Sequence, residues 1–267
     1  MNSSDSAVDQ ARHDHCVGPR PVALRITRLF ALMLALSGGL ALSGCTGVLD
    51  DAPSGPRGAP RPLDPGELPS PTMRRLTGEQ YRNTVADLFG PGVGPTVALE
   101  ADSVLNGFVA IGASRATVSP RGAELYEQAA LEVADQARSD PARRAVLVSC
   151  TPSGTVDATC ARTAVTELGR RAWRRPLEAS EIDTYAGIAI RAAEALGDFH
   201  EGLELAIAAL LQSPHFLFVV ELGEPSSEGG RRFTSLEMAS RLSYALWSST
   251  PDDALLDAAE AGELQSA

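Results

Sequence analysis

The chain has 267 residues, 44% of them hydrophobic and only 5% aromatic, so its core must be built largely from alanine and aliphatic side chains, a composition that suits close-packed helices. Formal charge is −11, from 23 basic against 34 acidic residues, and every basic residue is Arg because no Lys occurs. That excludes Schiff-base, P-loop and general-base lysines, and an acidic chain with no RNP pattern, zinc finger or basic stripe is not expected to bind nucleic acid.

Residues 29–42 form an uncharged run of apolar and small side chains behind Arg20, Arg25 and Arg28, the pattern of an export signal. The run is shorter than the roughly 20 residues a membrane span needs. It ends in Leu42-Ser43-Gly44-Cys45, which resembles the bacterial lipobox, so Cys45 is the expected site of lipidation and the expected mature N-terminus. The alternative is an ordinary signal peptide or a buried helix in which the cysteine is incidental. Residues 1–21 carry Asp5, Asp9 and Asp14, at odds with a positively charged leader, and we take Val22 as the candidate start of translation. His13, His15 and Cys16 are accordingly left out of the functional reading. Residues 46–71 hold seven prolines among Gly, Ser and Asp, an extended tether reaching roughly 3 Å per residue. Thr46, in place of Asp, points by the usual sorting pattern to the outer membrane, with the folded part facing the periplasm or the cell surface.

From residue 72 onward helices are expected almost throughout, an all-α, irregular multi-helix bundle with little or no strand. Thr77 and Gln80 form a capping box for a first helix with Tyr81, Val85, Leu88 and Phe89 inward, stopped by Gly90-Pro91. Residues 91–118 are irregular, with Asn106-Gly107 and Gly112 as turn signals and short apolar runs able to pair as minor strands. Ser119-Pro120 opens a helix that presents Tyr126, Ala130, Val133 and Ala137 and ends before Pro141. Further helices are expected over about 158–175, closed by Pro176, and about 178–196, closed by Gly197. Asp198 to Glu201 caps the next, with Leu203, Ile207, Leu210 and Leu211 buried, and Ser213-Pro214 then turns the chain into the apolar stretch 216–220. Thr234 and Glu237 repeat the capping-box start, and Pro251-Asp252-Asp253 opens a last helix with its carboxylates at the positive end of the dipole.

Few residues suit chemistry. His200 and His215 lie fifteen apart with no ligand-spaced partner, so no metal site is expected. His200 reads as a solvated first-turn residue and His215 as a packing or hydrogen-bonding one. Cys150 and Cys160 enclose a Pro-Ser-Gly loop in a chain marked for an oxidising compartment, and a disulfide is expected, the alternative being two buried thiols. Arg170, Arg171, Arg174 and Arg175 form the densest positive cluster, beside Trp173. Two readings stand for it: a candidate anion-binding site, or cations that complement a helix C-terminus and pair with carboxylates. No carboxylate pair stands out as catalytic, and no cofactor fingerprint is present.

Three groups of residues carry a resemblance: Arg75-Leu76-Thr77 with Gln80-Tyr81-Arg82-Asn83-Thr84-Val85 and Asp87-Leu88; Arg171-Ala172-Trp173-Arg174-Arg175-Pro176-Leu177 with Leu211-Gln212-Ser213-Pro214; and Ala239-Ser240-Arg241-Leu242-Ser243-Tyr244 with Leu246-Trp247-Ser248-Ser249 and Pro251-Asp252-Asp253. They resemble, in turn, the domains of unknown function numbered 1587, 1595 and 1592, found in large secreted proteins of planctomycetes and myxobacteria. The resemblance implies modules over 72–140, 141–222 and 231–267, with no established activity to carry over. Some relatives bear a haem c module, whose Cys-x-x-Cys-His motif is absent here. Relatives usually continue past the Pro-Asp-Asp helix, so the chain is expected to be truncated, with Leu242, Leu246 and Trp247 awaiting a partner. The function expected is binding or scaffolding at the cell envelope, toward polysaccharide or a redox partner. The rival is an enzyme, a carboxylate hydrolase or haem-partnered redox protein completed by further modules. Facing carboxylates of raised pKa in a cleft favour hydrolysis; an exposed apolar patch near Trp247 favours assembly.

Overall fold

A computed structural model describes residues 72–226 and 230–264, and the expected leader, Cys45 and the proline-rich tether lie outside them. The chain enters as β1 (Thr72–Arg75), paired antiparallel with β2 (Phe218–Glu221), Thr72 opposite Glu221 and Arg75 opposite Phe218. Four residues are too few for a period of two to register, so neither strand is legible in the sequence. A second pair, β3 (Glu224–Pro225) and β4 (Arg231–Arg232), is shorter still. The rest of the regular structure is helical, as the composition suits.

Capping chemistry fixes most helix starts. Thr77 Oγ1 accepts from Gln80 N and Gln80 Oε1 accepts from Thr77 N, both at 3.1 Å, at the head of α1 (Gly78–Phe89). α2 (Val109–Ala113) is a short helix where minor strands are expected; of strand pairing, only a Leu105–Phe108 bridge forms there. Ser119 caps α3 (Pro120–Ser139), whose Tyr126, Ala130, Val133 and Ala137 are buried as the sequence predicts. Asp140 starts a separate α4 (Pro141–Leu147), because a proline that ends one helix is equally suited to the first position of the next. α5 (Ala158–Trp173) and α6 (Ala179–Leu196) follow, the latter closed by Gly197 in the left-handed region at φ 76°.

The centre is α7 (Phe199–Gln212), which packs on α6, α3 and α5. It buries Leu203, Ile207, Leu210 and Leu211, each side chain contributing about 1.5–3 kcal/mol of apolar burial. Alanines on α3 and α5 let the helices approach. The α6–α7 crossing is closest at Gly202, where a Cβ would sit 2.4 Å from Ala189 O. α8 (Pro214–Leu217) turns the chain into β2. The second capping box, Thr234 with Glu237, opens α9 (Ser235–Leu246), and Asp252 caps α10 (Asp253–Glu260), which packs on α9. A small apolar cluster of Leu76, Val219 and Tyr244 joins β1, β2 and α9. Cys150 and Cys160 form the expected disulfide, with Cα atoms 5.8 Å apart, tying the segment before α5 to its first turn.

Candidate functional site

The three motif-bearing segments, separated by up to 165 residues, meet at one junction. On α1, Asn83, Thr84 and Asp87 lie at spacings of one and four, a stripe along the helix. Asn83 Nδ2 donates to Ser248 O at 3.2 Å, the Thr84 and Tyr244 hydroxyls lie 3.0 Å apart, and Ser249 Oγ donates to Asp87 Oδ2 at 2.5 Å. Ser248 takes φ 54° to make this turn, and Ser243 Oγ donates to Ser249 O at 2.8 Å, locking it. The end of α5 closes the third side: Arg171 Nη2 donates to Asp87 O at 3.0 Å and Thr250 Oγ1 to Arg171 O at 3.1 Å.

The four arginines do not gather on one patch, because each guanidinium is taken up by a different part of the fold. Arg170 reaches Asp253, Asp257 and Glu260, which sit at successive turns of α10, at 3.2, 2.5 and 2.7 Å. Arg171 serves the end of α1. Arg174, 4% exposed, is in the left-handed region at φ 59° and donates to the carbonyl oxygens of Ala172 (2.9 Å), His215 (2.5 Å) and Phe218 (2.8 Å), with Phe216 O and Tyr244 Oη at 3.4 and 3.3 Å. Arg175 makes a fork to Glu181 at 2.7 and 2.9 Å and lies 5.3 Å from the Trp173 ring. The C-terminus of α5 thus carries four cations, each with internal acceptors.

Between α1, α9 and α10 lies an open cleft of about 720 Å³. Asn83, Asp87, Ser243, Ser249, Thr250 and Asp252 supply its polar lining, with alanines, Leu255 and Trp247 as apolar surface. Each polar side chain spends one atom on the fold: Asn83 Nδ2 and Asp87 Oδ2 as above, Asp252 Oδ1 on Leu255 N. Among the described residues that leaves Asn83 Oδ1, Asp87 Oδ1 and Asp252 Oδ2 as acceptors against one remaining N–H on Asn83 Nδ2, so the cleft is acceptor-rich and suits a donor-rich ligand. Trp247 stands 65% exposed, with Leu246 at 68% and Leu242 beside it, so the apolar patch expected there is present.

The sequence reading missed Asn83, Asp87, Ser249, Thr250 and Asp252 as lining residues. The Asn83–Asp87 spacing of four was the available signal, but a polar stripe on a helix is ordinarily a solvated face.

Among the described residues no three or more His, Cys, Asp or Glu side chains are placed to hold a metal ion, and no helix is long and apolar enough to cross a membrane. His215 is half-exposed, stacked 4.7 Å from Trp173, with burial and then Arg175 lowering its pKa. His200 is edge-on to Phe199, its pKa lowered by burial. The carboxyls displaced from their ordinary range all move down. Hydrogen bonds hold Glu181 at about 2, chiefly from Arg175, and Asp157 at about 2, chiefly from Cys160 N. Asp198 is lowered by Glu201 N and His200 N, and Glu132 by donors from Thr96 and Val97. None of the four lines the cleft.

Comparison with curated proteins and with solved structures finds no match. Family models match in three places: residues 74–139 a protein of unknown function (DUF1587), residues 160–221 another (DUF1595), and residues 233–267 a third (DUF1592). The junction is where the three matched regions touch. The chain thus carries, in this order, matches to the DUF1587, DUF1595 and DUF1592 models, three modules of unknown function.

Proposed function

We propose that this chain is a binding component of the bacterial cell envelope, anchored in the outer membrane through a lipid on Cys45, and that the cleft beside Trp247 takes a neutral polysaccharide chain. One observation carries the ligand class: an exposed indole at the rim of a cleft of about 720 Å³ whose spare polar groups are mostly hydrogen-bond acceptors. A sugar presents hydroxyl donors along its edge and an apolar C–H face that stacks on an aromatic ring, which matches both halves of the lining. An acidic or phosphorylated ligand meets acceptors and carboxylates there and is disfavoured.

Calorimetric titration of the purified chain with maltohexaose, cellohexaose and the fully N-acetylated chitohexaose, all neutral, tests this. At least one is expected to bind, and Trp247→Ala to weaken it about tenfold or more, the loss of one stacking contact of about 1.4 kcal/mol. No binding by any of the three, or equal affinity in the variant, would refute the polysaccharide reading. The anchor has its own check: radiolabelled palmitate is expected to enter the protein in cells and to be lost in Cys45→Ala, and a labelled variant would refute lipidation at that residue.

A further inference from the structure

We infer that residues 103–114 form a rigid membrane-contact tip that rests on the surface of a phospholipid bilayer. These twelve residues, Ser-Val-Leu-Asn-Gly-Phe-Val-Ala-Ile-Gly-Ala-Ser, carry no charged side chain. Val104 and Phe108 are each 62% exposed, and Val109 and Ile111 are exposed beside them. A stretch this apolar on a surface loop departs from ordinary loop chemistry, and exposure of four large apolar side chains together marks a contact surface.

The tip is built, not loose. Asn106 and Gly107 take φ 52° and 83°, the two-residue turn that closes a tight hairpin. Leu105 N donates to Phe108 O at 3.2 Å and Phe108 N to Leu105 O at 3.0 Å. Gly112 N donates to Phe108 O at 3.1 Å, and Ser114 N and Oγ both donate to Ile111 O. Gly112 lies so close to the incoming chain that a Cβ there would stand 1.9 Å from Ser103 O. At the base, the buried Arg75 holds Glu100 (2.8 Å), Ala101 O (3.0 Å) and Asp102 (3.4 Å), while Glu100 Oε1 also accepts from Ser119 N at 3.2 Å. Both ends of the tip are therefore fixed to the folded body, and its two nearest carboxylates share one buried guanidinium.

Three features select a bilayer as the occupant. Four backbone N–H groups of the tip, those of Leu105, Phe108, Gly112 and Ser114, are bonded within it, which lowers the cost of leaving water for lipid. Four side chains present far less than the roughly 800 Å² a side that a stable protein interface needs, whereas lipid requires no shape match. The first charge beyond the tip is Arg115, exposed and in no ion pair among the described residues, where a headgroup phosphate would meet it.

The test places an indole in the tip. Phe108→Trp in the purified chain is mixed with phosphatidylcholine–phosphatidylethanolamine vesicles, neutral so that the protein's negative charge is not repelled, with brominated acyl chains as quencher. Fluorescence quenching above that of the parent chain is expected, and adding Val104→Asp and Ile111→Asp, both at exposed positions, is expected to return it to the parent level. Quenching no greater than the parent's would overturn the inference, as would quenching that survives the two aspartates. So would a concentration-dependent dimer lost in Phe108→Asp without any lipid quenching, since that would assign the tip to a protein contact. None of these outcomes bears on oligosaccharide binding at Trp247.

Discussion

Arg174→Ala is expected to lower the unfolding free energy by about 3–5 kcal/mol, the range for truncating a large buried side chain whose hydrogen-bond partners are left unpaired. Its guanidinium is 4% exposed and donates to carbonyl oxygens at the end of α5, across α8 and at the start of β2, as well as approaching the Tyr244 hydroxyl. An alanine would leave those acceptors buried without donors and open a void the width of a side chain. The backbone strain at residue 174, which sits at φ 59°, where any Cβ is unfavourable by about 1–2 kcal/mol, is common to Arg and Ala and cancels between them. Arg174→Gly removes the side chain and relieves that strain, so it should be about 1 kcal/mol less damaging than Ala. Arg174→Lys keeps the charge but offers a point donor in place of a fork, and should fall between the parent and Ala. Urea unfolding of the four proteins measures all of this. A loss below about 1 kcal/mol in Arg174→Ala would mean that the carbonyls find water or other donors, and that the junction does not depend on this residue.

The second large effect concerns Cys150 and Cys160. Reducing the disulfide, whose cysteines are ten residues apart, should cost about 3 kcal/mol by the loop-entropy model. Cys160 is buried in the first turn of α5, next to the Asp157 cap whose carboxylate binds Cys160 N and Ser153 N at 2.9 and 3.0 Å. Reduction would therefore free the 151–157 loop first and fray the start of α5 with it. Intact mass with and without reductant should differ by two hydrogen atoms, and thermal melts should shift down when reductant is present. Alkylation of Cys150 and Cys160 in the native protein, located by peptide mapping, would refute the bond in solution.

These expectations change where a function should be sought. The arginine cluster is the most conspicuous chemical feature of the sequence, yet its guanidiniums hold α1, α8, β2, α6 and α10 in place. The residues that remain available are the polar lining and the indole of the junction cleft, assembled from segments that match different family models. A cleft made where two modules touch depends on their docking, so Arg170 and Arg171 act on it indirectly, by fixing α10 and the end of α1.

Local chemistry was readable without the fold. Thr77 with Gln80, Thr234 with Glu237, Ser119, Asp198, Gly90 and Gly197 announce helix ends because a cap and its partner lie within four residues of each other. The inward faces of α3 and α7 follow from apolar spacing for the same reason, and the disulfide from two cysteines around a short loop. What the sequence could not settle is any pairing set by distance along the chain. β1 and β2 meet across more than 140 residues with four residues each, too short to show a pattern. Which of two readings holds for an arginine depends on acceptors that arrive from α6, α8 and α10, and spacing along α5 is blind to them. Asn83 and Asp87 look like a solvated stripe until α9 and α10 cover part of it, because only tertiary packing turns one face of a helix into the wall of a cleft.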